Sequence, residues 1–369
     1  MKVWQCDDSR PVPGLVQAEV KTPGPQRGEV LIRVHAVGVT GTELLWQPTT
    51  HTKSGENRRH AIPGHEFSGA IAAVGVGADG IVGQEVFGMN DWYAQGATAE
   101  FCCAPPSAIA PKPARLTHVE AASVPIDALT AWQGLFDRAQ LQANERVLIH
   151  GGAGAVGVFA IQLAHRRGAH VLTTASGRDR DFLLRLGARR VIDYHTERFE
   201  EVAKGVDVVF DAVGGSTLQR SWDVLGSGGR LVTIVPSADD ERTKRALFLV
   251  EPNRQQLCDI AAMLDAGQLR PAGRQADRDP GAEEVIRPGQ ERCSTSRIFA
   301  GSRYGCFGWP WPSRSSPRLP IASACGANLA SAGWHGATLN DSPPTPPDSC
   351  GSYRHPWSRQ RPSWRQQQK

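Results

Sequence analysis

The chain has 369 residues, the length expected for two ordinary domains, and its 40% hydrophobic and 21% charged residues are typical of a globular protein. The start is too polar for a signal peptide and no apolar run reaches the length of a membrane span, so we expect a cytoplasmic protein with no membrane partner. The eight scattered cysteines lack metal-ligand spacing and are interpreted as reduced thiols.

The net charge of +4 is unevenly distributed along the chain. Residues 272–369 contain 13 basic and 7 acidic side chains, a net of +6, which leaves a net of −2 for residues 1–271. The basic character therefore belongs to the C-terminal part, and nucleic-acid binding by the rest of the chain is not predicted.

Residues 1–125 are predicted to form a β-rich domain. Short apolar and β-branched runs, separated by Gly and Pro, predict strands at 29–37, 67–76, 83–88 and 99–102. A helix is predicted over 118–134, because Thr117 and Glu120 have the spacing of a capping box.

Residues 126–271 alternate between strand and helix patterns. The predicted strands lie at 145–150, 170–176, 190–194, 206–213 and 229–235, and the predicted helices lie at 156–167, 182–186, 217–225 and 253–264. Residues 247–250 also belong to the regular part. This alternation predicts a doubly wound parallel sheet, so the expected fold class is α/β with a β-rich first domain.

The segment at 145–157 is the most informative about function. Gly152, Gly154 and Gly157 satisfy the pattern G-x-G-x-x-G between a predicted strand and a predicted helix. In this context the first glycine makes the tight turn, the second lets the backbone approach a pyrophosphate, and the third lets helix and strand pack closely. The helix N-terminus attracts phosphate, so a dinucleotide site is predicted. The predicted contacts are Gly152, Ala153, Gly154, Ala155, Val156 and Gly157.

The end of the second strand of this unit indicates which dinucleotide binds. NAD-preferring sites usually place Asp or Glu there, against the ribose 2′-hydroxyl, whereas this strand ends at Ser176 and is followed by Arg178. Serine and arginine can bind a 2′-phosphate through charge-assisted bonds, so NADP(H) is favoured over NAD(H). Asp179 argues for NAD(H). Alternatively, Arg178 binds no phosphate and is only a solvated residue at the start of a helix.

Residues 272–369 differ in character from the rest. They contain 12 of the 26 prolines and lack helical or strand periodicity, which predicts an irregular, disordered tail. Translation in another reading frame also produces such a mixture, so a change of frame near residue 271 is the alternative interpretation.

Four motifs make the chain resemble the medium-chain dehydrogenase/reductase superfamily, and most closely its zinc-independent, zeta-crystallin-like quinone oxidoreductase branch. They are the segments 62–69, 124–132, 152–157 and 209–215. The resemblance implies a GroES-like substrate domain at 1–125, a Rossmann domain at 126–271, and often a homodimer. It also implies NADPH-dependent reduction of a small-molecule substrate, either a quinone or an α,β-unsaturated carbonyl compound (an enone).

The resemblance also implies further cofactor contacts. Tyr194 matches a tyrosine that stacks beside the adenosine phosphate, and Thr130 would support the nicotinamide. Val213, Gly214 and Val235 would line the nicotinamide ribose.

The zinc-dependent branch of the same superfamily is the competing interpretation. Aligned motif by motif, its two cysteine ligands fall on Thr40 and Ile126, so that only His65 and Glu66 remain. Zinc sites in proteins need about four ligands, so no catalytic zinc is expected. His65 and Glu66 are instead expected to form a hydrogen-bonded pair between the domains.

Thr42 and Tyr93 are the candidate catalytic residues. Thr42 follows a strand that faces the predicted cleft, and Tyr93 lies in a polar-aromatic loop from which it would donate a proton or hydrogen-bond a carbonyl. The alternatives are that Tyr93 only shapes an apolar wall and that water protonates the product. Two other function classes stay open: a non-catalytic NADPH-binding sensor or crystallin-like protein, and an RNA-associating protein that binds through its basic tail.

Overall fold

The computed structural model describes residues 1–7, 14–38, 40, 43–236 and 241–271, and all of them fall in one contact unit, Met1–Leu319. The predicted tail and the candidate Thr42 lie outside the described residues. Within the described part of the chain, no helix has the length and apolar character needed to cross a membrane.

The N-terminal part contains two antiparallel sheets. Strands β1 (Lys2–Asp7) and β2 (Gly14–Glu19) pair with each other. Five strands form the second sheet, in the order β6-β3-β4-β5-β7, and a one-turn helix α1 (Gln47–Thr50) lies between its first two strands in the chain. The five strands are β3 (Val30–Gly38), β4 (Glu66–Val74), β5 (Glu85–Met89), β6 (Phe101–Ala104) and β7 (Ile109–Pro111).

The four strands predicted for this region are β3 to β6, with ends displaced by one or two residues. Strands β1, β2 and β7 were not predicted. The burial of β1 and β2 does not alternate along the strand, so neither shows the two-residue period of a half-buried strand. Strand β7 has only three residues and ends in a proline.

Two short helices follow the second sheet. Helix α2 (His118–Ala122) begins with the predicted capping box, in which the Thr117 hydroxyl accepts from the Glu120 N–H and the Glu120 carboxylate accepts from the Thr117 N–H. The prediction of one helix over 118–134 is wrong, because Pro125 has no N–H to continue the helical bonding and begins a second helix, α3 (Pro125–Trp132). Helix α3 continues as a π-helical turn, Gln133–Arg138.

A parallel sheet forms the second half of the fold, in the order β10-β9-β8-β11-β12. Its strands are β8 (Arg146–His150), β9 (His170–Ala175), β10 (Arg190–Asp193), β11 (Val206–Asp211) and β12 (Leu225–Thr233). Alternate residues of β8 reach opposite faces: Val147 and Ile149 belong to one buried cluster, and Leu148 belongs to another. Both faces are therefore covered, as predicted for a doubly wound sheet.

Six helices accompany this sheet in the described residues: α4 (Ala155–Arg166), α5 (Arg180–Arg185), α6 (Phe199–Val202), α7 (Gly215–Ser221), α8 (Glu241–Ala246) and α9 (Arg254–Asp265). The four predicted helices correspond to α4, α5, α7 and α9. Residues 247–250 contain one parallel bridge, between Leu247 and Thr233, the last residue of β12. Helix α3 packs on α4 as well as on β4 and β5, and so joins the two halves of the fold.

Candidate cofactor and substrate site

The chain turns sharply after β8 at Gly151, whose φ of 77° lies in the left-handed region that favours glycine. Gly152, the first glycine of the sequence pattern, follows within the same turn, which the bond from the Gly154 N–H to the Gly151 carbonyl closes at 2.9 Å. The N–H of Gly152 donates to the Thr174 carbonyl at 3.1 Å, which ties the turn to β9.

Gly152 and Gly157 are packed too tightly to carry a side chain. A Cβ on Gly152 would overlap the Thr173 hydroxyl. A Cβ on Gly157 would overlap the Gly151 carbonyl and lie 2.8 Å from the Gly152 Cα. These two glycines let α4 pack directly against the turn and β9, the role predicted for the third glycine of the pattern.

Gly154 has a different environment. It is the N-cap of α4, no side chain caps the helix, and a Cβ at this position would meet only the Gly151 carbonyl, at 3.1 Å. The N–H of Val158 donates to the Gly154 carbonyl at 3.0 Å, and the amides of the turn before it have no acceptor within the helix. The absence of a side chain at Gly154 and the positive end of the helix dipole fit a diphosphate at this N-terminus.

His150 is fully buried immediately before the turn. Its Nε2 contacts the Ser221 hydroxyl at 2.9 Å, and because that hydroxyl donates to the Thr217 carbonyl at 2.7 Å, Nε2 carries the hydrogen. Its Nδ1 then accepts from the Thr174 hydroxyl at 3.0 Å. Burial lowers the pKa of His150 to about 3, so the imidazole is neutral and one tautomer joins β8, β9 and α7.

Ser176, Arg178 and Tyr194, which were predicted to contact the adenosine phosphate, come together at the carboxyl ends of β9 and β10. Ser176 precedes a short 3-10 turn, Gly177–Asp179, and its hydroxyl does not cap that turn. The Arg178 side chain is 78% exposed, and its Nε lies 3.6 Å from the Asp179 carboxylate. Tyr194 follows β10 and is 60% exposed.

An acidic group from the neighbouring strand also lies at this tip. The carboxylate of Asp193, the last residue of β10, is so close to Gly177 that a Cβ on that glycine would overlap it. Its other oxygen accepts from the His195 N–H at 3.0 Å. The sequence does not predict Asp193 as a site residue, because this acid belongs to β10, and only the folded sheet shows that β10 lies next to β9.

Val213, Gly214 and Val235, the residues predicted for the nicotinamide side, are brought together against the glycine turn. A Cβ on Gly151 would lie 3.3 Å from the Val213 side chain, and a Cβ on Gly214 would overlap the Val235 side chain. They follow the carboxyl ends of β11 and β12, the edge at which open α/β sheets bind their ligands.

Asp211 holds this corner of the sheet in place. Its buried carboxylate accepts from the N–H groups of Val213 and Gly214, at 3.2 and 3.1 Å, and from the Thr233 hydroxyl at 2.8 Å. Burial raises the pKa of Asp211, and these hydrogen bonds oppose the increase. Asp211 was not predicted as a site residue, because a single acid at the end of an apolar strand does not show which groups it binds.

Thr130 lies on α3 and is 4% exposed. Asp127 is three residues earlier, on the same side of the helix, and burial raises its pKa to about 7. Its acidic neighbour is Glu66 of β4, whose pKa is raised well above its usual value first by burial and then by the charge of Asp127. Two carboxyl groups therefore share the contact between α3 and the antiparallel sheet.

Tyr93 lies half-buried in the loop 90–95. Its N–H donates to the Asp91 carboxylate at 2.9 Å, and the Lys53 ammonium lies 5.3 Å from the centre of its ring. The neighbouring Trp92 donates its indole N–H to the Val250 carbonyl at 2.7 Å. The loop is therefore connected to the chain segment that follows the parallel sheet.

His65 and Glu66 do not form the expected pair. The Nδ1 of His65 contacts the Glu43 carboxylate at 2.6 Å, and its Nε2 donates to the Trp92 carbonyl at 2.9 Å. Glu66 accepts from the Ile126 N–H at 2.9 Å. Successive side chains on extended backbone point to opposite sides, which separates the two residues.

The donor set around His65 does not fit a zinc ion. Both of its ring nitrogens have protein partners, and the positions of the two cysteine ligands hold Thr40 and Ile126. Across the described residues, no three His, Cys, Asp or Glu side chains meet in an arrangement suited to a metal ion. Zinc sites need about four such ligands.

Two protein families match the chain. Residues 26–114 match the alcohol dehydrogenase GroES-like domain, and residues 155–253 match the zinc-binding dehydrogenase family. The chain is 30% identical over 271 residues to a probable zinc-binding oxidoreductase, mitochondrial, of Arthroderma benhamiae, with 67% of this chain and 81% of the relative covered. It is 30% identical over 281 residues to a 2-methylene-furan-3-one reductase of Solanum lycopersicum, with 73% and 71% covered.

A solved structure of the quinone oxidoreductase from Coxiella burnetii is similar to this fold, with a TM-score of 0.65 at 32% identity, and covers 73% of this chain and 89% of its own. Together with the family matches it confirms the predicted combination of a GroES-like sheet and a Rossmann sheet. The chain therefore belongs to the medium-chain dehydrogenase/reductase superfamily of nicotinamide-dependent oxidoreductases, in its zeta-crystallin-like quinone oxidoreductase branch.

Proposed function

We propose that the protein is an NADPH-dependent reductase that acts on a quinone or an enone without a catalytic metal. The observation that carries this proposal is the glycine turn, where packing leaves no room for a side chain at Gly152 or Gly157 and no side chain caps the α4 N-terminus at Gly154. The names of the relatives, quinone oxidoreductase and 2-methylene-furan-3-one reductase, support the substrate class.

The proposed cofactor site follows the carboxyl edge of the parallel sheet. The diphosphate lies against residues 152–157, and the nicotinamide ribose lies between Val213, Gly214 and Val235. Thr130 supports the nicotinamide ring from α3. The contacts between Gly151, Val213, Gly214 and Val235 support this assignment, because they form one continuous wall beside the turn.

Ser176 and Arg178 are proposed to receive the adenosine 2′-phosphate, and Tyr194 is proposed to stack beside the adenosine phosphate. The exposed guanidinium of Arg178 supports NADPH, because it is free to form charge-assisted bonds to a phosphate by turning away from Asp179. The carboxylates of Asp179 and Asp193 act in the opposite direction, since they repel a phosphate and suit a ribose hydroxyl. The preference for NADPH therefore depends on Arg178.

When bound, the cofactor supplies a hydride to an acceptor that already stabilises negative charge. Tyr93 is proposed to hydrogen-bond the substrate carbonyl or to donate the proton, with Thr42 as the second polar group. Such an acceptor needs no Lewis acid, which agrees with the donor set at His65. Residues 1–125 are proposed as the substrate domain, 126–271 as the cofactor domain, and the assembly as a homodimer.

Steady-state kinetics test this proposal. The loss of NADPH absorbance is followed with phenanthrenequinone and with a simple enone, using the full chain before and after dialysis against a chelator. We expect turnover of at least one acceptor that chelation leaves unchanged. Activity that disappears with the chelator and returns with zinc would contradict metal independence, and saturable NADPH binding without turnover of either acceptor would indicate a non-catalytic cofactor-binding protein.

A further inference from the structure

His65 contacts the loop 90–95 through both its ring and its main chain. Its Nε2 donates to the Trp92 carbonyl at 2.9 Å, and its own carbonyl accepts from the Asn90 N–H at 2.7 Å. The rings of His65 and Trp92 also pack with their centres 5.1 Å apart. His65 is fully buried, so no water is available to replace these bonds.

The second ring nitrogen of His65 is held just as firmly. The Glu43 Oε1 accepts from the Gly64 N–H at 2.7 Å and contacts the His65 Nδ1 at 2.6 Å. The carboxylate fixes the plane of the imidazole, and the imidazole in turn fixes the Trp92 carbonyl. The ring cannot release the loop by rotating unless it also breaks its bond to Glu43.

The peptide bond between Trp92 and Tyr93 is fixed at both of its polar atoms. Its carbonyl oxygen accepts from His65, and its N–H donates to the Asp91 carboxylate at 2.9 Å. Because a peptide group is planar, fixing both atoms sets the direction in which the chain leaves toward the Tyr93 side chain. The indole N–H of Trp92 is held separately by Val250, so it anchors the side chain and leaves the peptide orientation to His65.

We propose that His65 is a positioning residue for the reduction, which holds the Tyr93 hydroxyl in line with the substrate carbonyl through the bond from its Nε2 to the Trp92 carbonyl. The inference rests on the proposed function, because it takes Tyr93 as the group that contacts the carbonyl. In the zinc-dependent branch this position holds a zinc ligand. In this chain His65 instead orders the proposed substrate-binding loop, 90–95.

Two conservative variants separate the two bonds of the ring. His65→Gln keeps an N–H donor near Nε2, which can reach the Trp92 carbonyl, whereas His65→Asn keeps a polar group near Nδ1, which can reach Glu43. Each variant loses one buried hydrogen bond, so a general loss of stability affects both. We expect His65→Asn to raise the KM for the enone roughly tenfold, with the Kd for NADPH unchanged, and His65→Gln to restore most of that loss.

A readout without substrate makes the test independent of turnover. Hydrogen exchange at the amides of residues 90–95 is expected to speed up in His65→Asn and to stay near the wild-type rate in His65→Gln. In a Tyr93→Phe background, His65→Asn is expected to add little further increase in KM, because the group that it positions is already gone.

Equal effects of the two variants on KM and on exchange would overturn the proposal, as would a larger effect of His65→Gln. If the wild-type protein reduces neither acceptor, the proposed function fails, while the exchange rates still show whether His65 orders the loop.

Discussion

Gly154 and Gly157 are three positions apart in the same turn, and they have opposite surroundings. Packing leaves no room for a side chain at Gly157, whereas at Gly154 only one atom, the Gly151 carbonyl oxygen, would lie close to a Cβ. Gly157 is therefore required for the fold, whereas Gly154 is required only if a ligand approaches the backbone. The sequence pattern treats the two as equivalent, so a pair of alanine substitutions separates folding from binding.

Gly157→Ala is expected to lower the free energy of unfolding by about 1–3 kcal/mol, because the added methyl group overlaps the Gly151 carbonyl. Gly154→Ala is expected to lose less stability than Gly157→Ala, because its methyl group would meet one atom at 3.1 Å, and to bind NADPH about tenfold more weakly or worse, because the methyl group occupies the space proposed for the diphosphate. Thermal unfolding and an NADPH titration measure the two effects separately. Equal destabilisation by both substitutions, with NADPH affinity retained in Gly154→Ala, would contradict the assignment.

Arg178→Ala is expected to raise the KM for NADPH about tenfold and to change the KM for NADH little, because the guanidinium is proposed to bind only the 2′-phosphate. Lys204→Ala is the matched control, since it removes the same charge from an exposed residue at the amino end of β11. Initial rates with both cofactors measure the ratio. A wild-type preference for NADH that Arg178→Ala leaves unchanged would show that the carboxylates at this tip determine cofactor choice.

At the scale of elements, the features that the sequence predicts correctly are those formed by residues close together in the chain. The strand before the turn, the glycines and helix α4 lie within a single βαβ unit, so residues adjacent in the chain reveal most of the proposed diphosphate site. The partners of His65, by contrast, are 22 and 27 residues away in the chain. Such contacts depend on how β3 and β4 pair and on where the loop 90–95 returns, and no local pattern records them.

The junction of β8, β9 and α7 at His150 makes stability depend on pH. Burial lowers the pKa of His150 to about 3 in the folded chain, below the value of about 6.5 for an exposed histidine. Between these values the unfolded chain binds a proton that the folded chain does not. The free energy of unfolding therefore falls on acidification across this window, by up to about 1.4 kcal/mol per pH unit for this one group.

His150→Asn is expected to be less stable than the wild type near pH 7 and to lose stability less steeply between about pH 6 and pH 4, because the buried titrating group is gone. Chemical denaturation across this range measures the slope. His195→Asn, at an exposed histidine, is the control and is expected to leave the slope unchanged. A slope in His150→Asn as steep as that of the wild type would refute this account.

At the scale of the whole molecule, one segment joins the antiparallel sheet to the helices of the parallel sheet. The Val250 carbonyl accepts from the Trp92 indole N–H at 2.7 Å. The main-chain carbonyl and N–H of Glu251 both bond to the side-chain amide of Gln133, at 2.8 and 3.0 Å. Arg254 donates to the Ile109 carbonyl at 2.7 Å, which ties α9 to β7. These contacts are polar and directional, so they fix the relation between the loop 90–95 and the parallel sheet.

Arg254→Ala is expected to lower the free energy of unfolding by about 1–3 kcal/mol, because the Ile109 carbonyl loses a charge-assisted partner. It is also expected to weaken substrate binding more than NADPH binding. The lost bond joins α9 to the antiparallel sheet, whereas the glycine turn proposed to bind NADPH belongs to the parallel sheet. Gln255→Ala, on the exposed neighbouring residue, is the control. Calorimetry and KM values for both ligands provide the measurement, and equal losses for NADPH and substrate would argue against a role in domain placement.

The Nε2 of His65 can hold the Trp92 carbonyl or a metal ion, but not both at once. Cysteines introduced at Thr40 and Ile126 would supply two ligands without releasing this nitrogen, and a metal that took it would leave the Trp92 carbonyl without its donor. Metal binding at this nitrogen is thus coupled to the position of the loop 90–95. A variant that carries only the two cysteines would therefore keep the loop 90–95 bonded to His65, whereas a metal that bound Nε2 would release the loop.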